Sequence, residues 1–490
     1  MRYVYMIKSS FRSCFQTALC LSVSLFPTLG FSEPVSHNQT PTITPVITNG
    51  DLPFHVEIEQ ADFSLPNGIH SYVHGIYKGK WFFVSGRTNG LHDFDSGNNN
   101  FPPQKQNKTL YVVDPKKKQV WSRELDDSRS GLTQKQIDEL SVTSAQAIQR
   151  GKTLYLIGGY GVKTSTGEFS TKKTLTAIDL DKAIEWVTKP SSKKKFVHAI
   201  RQTSNSQLRV TGGYSAQQKD HPSLLMLGQD FEGYYLPSSN GQYTEVVRRF
   251  RIKDNGKKVR VEMKSSKPSE RKSEYRRRDL NIVPVMYKKG GTLRHAHVAY
   301  SGVFTPSGGA WTVPVEIDVE GKPSMADPES DSTFKQGMNN YACATAGFYS
   351  HDYEDMYTLF FGGISYGYFD GGVFQTDSEF PFINQVTAIR INKEREYSQY
   401  LLDAEYPVIL STGSNPGNQL LFGSACEFIP AQSLDSYSNG VLKFDRLKIG
   451  KTITLGYIVG GIQSTLPNTN SGSDSAASPY IFKVKITRTR

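Results

Sequence analysis

The stretch "TLYLIGGYG" at residues 153–161 decides how this chain is read. A run of aliphatic and aromatic residues stops on two glycines and a tyrosine. The run has the composition of a buried strand. Glycine at its end marks a chain that takes φ > 0 on leaving the sheet, or one that a neighbouring backbone approaches closely. The device recurs in "WFFVSGRTNG" (81–90), "LRVTGGYS" (208–215), "AYSGVF" (299–304), "LFFGGISYG" (359–367) and "YIVGGIQS" (457–464). A single instance is an ordinary turn; a set that ends one apolar strand after another is a repeat. The intervals are uneven, 54 residues from Gly158 to Gly212 and 98 from Gly362 to Gly460. They fit a core unit of about 50 residues with insertions.

Each unit shows one plan. In the second, "TSAQAIQ" leads through the turn "RGK" into "TLYLIGGY", then "TLTAIDL", with "AIEWV" as a fourth strand. In the first, "HSYVHGIY", "WFFVSG", "TLYVVD" and "QVWSREL" take the same order. The apolar strand ending in Gly158–Gly159, with Trp186 after it, resembles kelch-repeat β-propellers, and Trp121 closes the first unit in the same way. Longer stretches, "GRTNGLHDF" (86–94), "RRDLNIVP" (277–284), "FFGGIS" (360–365) and "EFPFINQVTAI" (379–389), resemble a set of exported bacterial kelch-like proteins. That resemblance implies a shared fold and export, and it brings no activity. The fold expected is all-β, a six-bladed kelch-type β-propeller. The early strand "FHVEIEQADF" (54–63) would pair beside the last unit, "SACEFIPA", "GVLKFDRL", "TITLGYIVGG" and "PYIFKVKI", and so close the ring. Residues 465–479 read as a flexible loop within that unit.

Residues 1–32 have the form of a signal peptide. Arg2, Lys8 and Arg12 precede an apolar segment from Phe15 to Phe26, then Pro27 and the small residues Gly30 and Ser32. The apolar segment is short for a bilayer span. The expectation is export, to the periplasm or the medium, with residues 33–53 as a linker and 54–490 as the propeller. Two cysteines remain, Cys343 and Cys426. Export allows a disulfide, but two buried thiols fit as well. The formal charge is +11, and residues 248–278 hold fourteen Lys/Arg against four Asp/Glu. This basic stretch, within an insertion at about 216–278, is either a patch for an anionic surface or a solvated loop or hairpin. Export disfavours nucleic acid as its partner.

No cofactor or metal is expected. "GISYG" (363–367) matches a nucleophile elbow around Ser365, but "YFDGGVFQTDSEF" behind it has none of the character of the required helix. "HDFDSGNNN" (92–100) spaces Asp93 and Asp95 like a calcium loop without its closing Glu. His295 with His297, and His70 with His74, share strand faces without a third ligand. The candidate site is the loop after the first glycine strand, with Arg87, Asn89, His92 and Asp93 at the mouth of a central channel. Arg87 suits a carboxylate or phosphate, or pairs with an acid on the next blade. His92 and Asp93 suit proton transfer. Tyr160 and Tyr214, one residue past their double glycines, would line the same rim or serve as packing. Two functions fit: a recognition scaffold that binds a protein or glycan through its loop face, and a carbohydrate-active enzyme such as a sugar epimerase or mutarotase at the channel mouth. Whether the chain is an enzyme is left open.

Overall fold

The computed structural model describes residues 43–48, 50–92, 100–236, 241–300, 302–469 and 473–490. The signal-peptide reading of residues 1–32, and Asp93 and Asp95, lie outside them. Among the described residues the chain is nearly all β, with two α-helices, and six sheets have four or five strands.

Strand order within these sheets tracks the chain. Sheet one is Val73–Tyr77, Lys80–Val84, Thr109–Asp114 and Gln119–Glu124. Sheet two is Gln146–Arg150, Thr153–Ile157, Thr174–Asp179 and Ile200–Ser204. Sheet three is Tyr214–Ala216, Ser223–Met226, Val247–Asp254 and Val259–Lys267. Sheet four is Ile282–Lys289, Thr292–Ala299, Val315–Ile317 and Pro323–Met325. Sheet five is Ala344–Ser350, Asp355–Ile364, Phe382–Ile391 and Tyr397–Glu405, with Leu442–Lys443 added beside its first strand. Sheet six is Glu427–Pro430, Thr452–Val459, Ile481–Arg488 and, last, the N-terminal strand Phe54–Gln60. The N-terminal strand pairs antiparallel with the C-terminal one, from Phe54 opposite Arg488 to Gln60 opposite Phe482. The two ends of the chain therefore share one sheet, and ring closure occurs as the sequence predicts.

The packing explains why "TLYLI" is apolar without a break. Leu154 and Leu156 point into a cluster shared with Phe82, Val84, Leu110 and Val112 of sheet one. Tyr155 and Ile157 point the other way, into a cluster with Leu225, Phe250 and Ile252 of sheet three. Both faces of the strand are buried, so period-2 alternation carries no polar half. The same double burial links three to four, four to five, five to six and six back to one. Sheets stacked face to face in a closed round make a β-propeller.

The glycines tie each sheet to the next. Gly158 and Gly159 take φ of 64° and 85°. Gly159 N–H donates to the Val210 carbonyl of the next unit at 2.9 Å. A Cβ on Gly158 would stand 2.2 Å from that same oxygen. Gly86 donates to Val142, Gly228 to Arg277 and Gly461 to Ile69 in the same manner. Both reasons for glycine, positive φ and close approach, hold at once.

Several expectations are corrected. The glycine strand of the third unit is "SLLMLG" (223–228), not "LRVTGGYS". With Gly228 in place of Gly212 the spacing evens out, to 72 residues from Gly86 to Gly158, 70 to Gly228 and 74 to Gly302. "AIEWV" is not a strand. Asp179 caps a helix at Leu180–Thr188 by accepting from the N–H groups of Asp181 and Lys182. Leu180, Ala183, Ile184 and Val187 form its buried stripe. Trp186 therefore sits on this helix, while Trp121 lies on the fourth strand of sheet one. "GVLKFDRL" supplies a two-residue strand to sheet five and a 3-10 turn, not a strand of sheet six. Most of the basic stretch belongs to sheet three: residues 248–267 lie in its third and fourth strands, joined as a hairpin, and 268–278 lead on to the hub. Within 465–479, Ser475–Ala477 is a strand paired to Ile462–Ser464. The end of the linker is also ordered, with Ile47 bridging Tyr400 at the edge of sheet five. Cys343 and Cys426 are buried free thiols, which decides between the two readings of that pair.

Candidate functional site

Before its first strand, each sheet enters the hub through one residue in the left-handed region. These are Ser71, Ser144, Gly212, Asp279, Ala342 and Ala425, with φ between 46° and 63°. Five of the six are not glycine, so the conformation is held against an intrinsic cost of about 1 kcal/mol or more per residue. A chain of five backbone hydrogen bonds links all six, open only between Asp279 and Ala342. Ser144 donates to Ser71, Gly212 to Ser144, Asp279 to Gly212, Ala425 to Ala342 and Ser71 to Ala425, at 2.6–3.1 Å. The last of these passes from the end of the chain back to its beginning.

These hub turns set out two tiers of side chains around one cavity of about 970 Å³. The lower tier precedes the left-handed residues: His70, Thr143, Thr211, Arg278, Tyr341 and Ser424. The upper tier lies at or just past the ends of the second strands: Arg87, Tyr160, Gln229, Val303, Ile364 and Ile462. All twelve line the cavity. Antiparallel bridges pair the tiers within a sheet, His70 with Arg87, Thr143 with Tyr160, Thr211 with Gln229, Tyr341 with Ile364 and Ser424 with Ile462. The lower tier is polar throughout. The upper tier is polar over sheets one to three and aliphatic over four to six.

Arg87 is 1% exposed. Its Nε donates to Asn89 Oδ1 at 2.9 Å, its Nη2 to the Pro102 carbonyl at 3.1 Å, and its plane lies 4.7 Å from the Phe101 ring centre. It has no carboxylate partner among the described residues, in contrast to the expected inter-blade pair. Burial lowers its pKa to about 10, so the charge persists at neutral pH. Two N–H···O bonds leave part of a five-donor fork unused. Arg278 reaches the same cavity from sheet four and is 4% exposed. It lies over the rings of Tyr235 and Phe304 and 4.0 Å from the Asp279 carboxylate. Burial works against its charge, but Tyr235, Asp279, Tyr243 and Tyr341 together outweigh it and the pKa rises. Asp279 is itself raised, by burial first, with Arg278 pulling the other way. A 4.0 Å gap is too long for a hydrogen bond to reverse that. Phe101 and Tyr235 meet edge to face at 5.2 Å between the two guanidinium groups.

The other expected residues fall into place around this pair. Asn89 and Tyr160 line the cavity, and the Tyr160 hydroxyl donates to the Gly233 carbonyl at 2.6 Å. His92 lines it too, its ring 4.8 Å from Tyr235 and 5.5 Å from Phe101. Tyr214 does not line it. Its double glycine belongs to the hub entry rather than to a second strand, so Gln229 occupies the rim position in sheet three. Ser365 is fully buried and its hydroxyl donates to Gly367 O at 2.6 Å, which leaves no nucleophile there. His70 is buried against Ser71 and is held neutral, its pKa lowered to about 3 by burial and then by Arg87. No cluster of three His, Cys, Asp or Glu suited to a metal occurs among the described residues.

Sequence reasoning misses Arg278, Asp279 and Glu427. Arg278 falls within a basic run, yet Arg277 and Arg278 face inward. The usable signal is positional: "RDLNIV" (278–283) and "SACEFI" (424–429) occupy the same place at a first strand as "TSAQAI" (143–148). Glu427 enters from sheet six, 3.9 Å from His74 Nδ1. Protein surrounds it, and this raises its pKa to about 7. Its side chain is still 46% open to the lumen, and water there moderates that push. Burial also lowers His74, to about 4, so the contact joins an acid to a neutral imidazole.

No family model matches this chain, and no curated protein matches it. Among solved structures, one titled "Structure of YjhT" is 12% identical with a TM-score of 0.42, over 86% of this chain and 99% of that one.

Proposed function

We propose that the chain is an exported, six-bladed kelch-like propeller whose central cavity recognises an anionic sugar, free or at the end of a glycan. The carrying observation is the pair of buried guanidinium groups, Arg87 and Arg278, at one cavity with aromatic rings between them. A forked donor in a low-dielectric wall favours a carboxylate. Aromatic rings and the aliphatic half of the rim suit the C–H faces of a sugar. A cavity of about 970 Å³ is of small-molecule size. The loop face reading of the scaffold is thereby narrowed to its centre. The basic leader at 1–12 and the apolar segment behind it support export.

A thermal-shift panel of hexuronates and keto sugar acids against matched neutral sugars tests this, since a ligand of the folded state raises Tm. Carboxylated sugars are expected to stabilise the protein and neutral ones are not. Stabilisation by neutral sugars alone defeats the reading.

One observation favours the enzymatic alternative. Glu427 lines the cavity with its pKa raised to about 7, the condition for general acid–base work near neutrality, and Asp279 lines it with its pKa raised by burial. In that reading Glu427 moves the proton during epimerisation or anomer exchange of a bound sugar acid. Glu427→Gln should then slow exchange about 10²-fold or more while binding persists. NMR exchange of the bound sugar measures it, and unchanged exchange removes Glu427 from the chemistry. A stability test is independent of any ligand. The folded-state pKa of about 7 exceeds the ordinary 4.5. Between these values the folded state holds the proton more tightly, so ionisation costs stability as pH rises. The Tm of Glu427→Gln relative to the parent should therefore climb from pH 5 to pH 8. A flat difference would show that Glu427 ionises normally.

A further inference from the structure

The hairpin of sheet three carries a second, separate surface. Register places Arg249 opposite Lys264, Arg251 opposite Glu262 and Lys253 opposite Arg260. All six lie on one face, because Phe250, Ile252, Val261 and Met263 turn the other way into the core. Two of the three cross-strand pairs therefore set like charges directly against each other, an arrangement that destabilises a sheet. Glu262 is the one acid among the six, and it is already shared, at 3.1 Å from Lys253 and 2.7 Å from Lys264. Those two lysines hold its pKa down to about 2. Arg249, Arg251 and Arg260 have no carboxylate partner among the described residues. The exposed turn between the strands adds Lys257 and Lys258. A solvated face needs charge, but it does not need like charges in register.

We infer that this face is a docking strip for a linear acidic polysaccharide. Cations on one strand recur about every 7 Å, in two rows about 5 Å apart, which makes a narrow strip rather than a disc. Arginine forks suit carboxylate or sulfate groups along a chain. A bilayer is the weaker fit, since none of the exposed large apolar residues lies on the hairpin to insert.

The test uses the full protein and polygalacturonate at about 50 mM salt, with neutral dextran, anionic vesicles and duplex DNA as comparisons. Polygalacturonate is expected to bind and to be released as salt rises, by displacement of condensed counterions. R251E/R260E should weaken binding at least about 10-fold. K116E/K117E makes an equal charge change at exposed sites on sheet one and should leave binding within about 2-fold. Arg260→Glu alone should also weaken binding while raising Tm slightly, because it turns the repulsion with Lys253 into a pair. That readout shows the fold intact where polymer binding falls. The inference is overturned if polygalacturonate fails to bind, if K116E/K117E weakens binding as much as R251E/R260E, or if vesicles or DNA bind tighter.

Discussion

Removing the Arg87 guanidinium is expected to weaken binding of a carboxylated sugar by at least about 30-fold, and Arg278→Ala to do the same. Truncating a buried, hydrogen-bonded charge partner typically costs about 2–5 kcal/mol of binding. Here neither arginine has a substitute, since each reaches the cavity from a different sheet and no other guanidinium among the described residues lines it. Both side chains also pack against rings, so truncation will disturb Phe101 and Tyr235. Arg87→Lys separates the two effects. It keeps charge and most of the volume but loses the fork, and should retain the parental Tm while binding falls by a smaller factor. Calorimetry with the tightest sugar acid of the panel measures all three. Parental affinity in Arg87→Ala and Arg278→Ala would place the ligand elsewhere.

Gly159→Val should destabilise the fold by about 3 kcal/mol or more, a fall in Tm of at least about 3 °C. Two costs add. Residue 159 has φ 85°, a conformation a β-branched residue rarely adopts. Its Cβ would stand 2.6 Å from Val142 Cγ2 and 2.9 Å from Ala145 Cβ, at the seam between sheets one and two. Gly151→Ala separates them. It has φ 55° and nothing within 4 Å of an added Cβ, so it bears the conformational cost alone. Its expected loss is about 1 kcal/mol. Equal melting of the two variants would mean that crowding at the seam counts for nothing.

Part of this protein is legible residue by residue. Strands apolar on both faces announce sheets packed on both sides, and glycines at their ends announce a backbone crowded by its neighbour. The pairing of 54–60 with the C-terminal strand stems from the need to leave no open edge. Arg87 is legible because it stands directly after Gly86. The third unit misleads because glycine serves two purposes there. Gly212 supplies a left-handed turn at the hub, whereas Gly228 meets the Arg277 carbonyl of the next sheet. The local signature is the same for both. The helix around Trp186 misleads for a similar reason, since "AIEWV" also fits a short alternating strand.

What the chain determines alone is therefore the repeat: its strands, its seams and its closure, all of which depend on neighbours in sequence and on burial. What only the tertiary structure decides is the cavity. Arg278, Asp279 and Glu427 lie up to 340 residues from Arg87, and nothing local says that their hub turns join one chain of hydrogen bonds. A run of arginines faces solvent by default. Here closure of the ring turns Arg277 and Arg278 inward, because the backbone that carries them must meet sheet three on one side and the hub on the other.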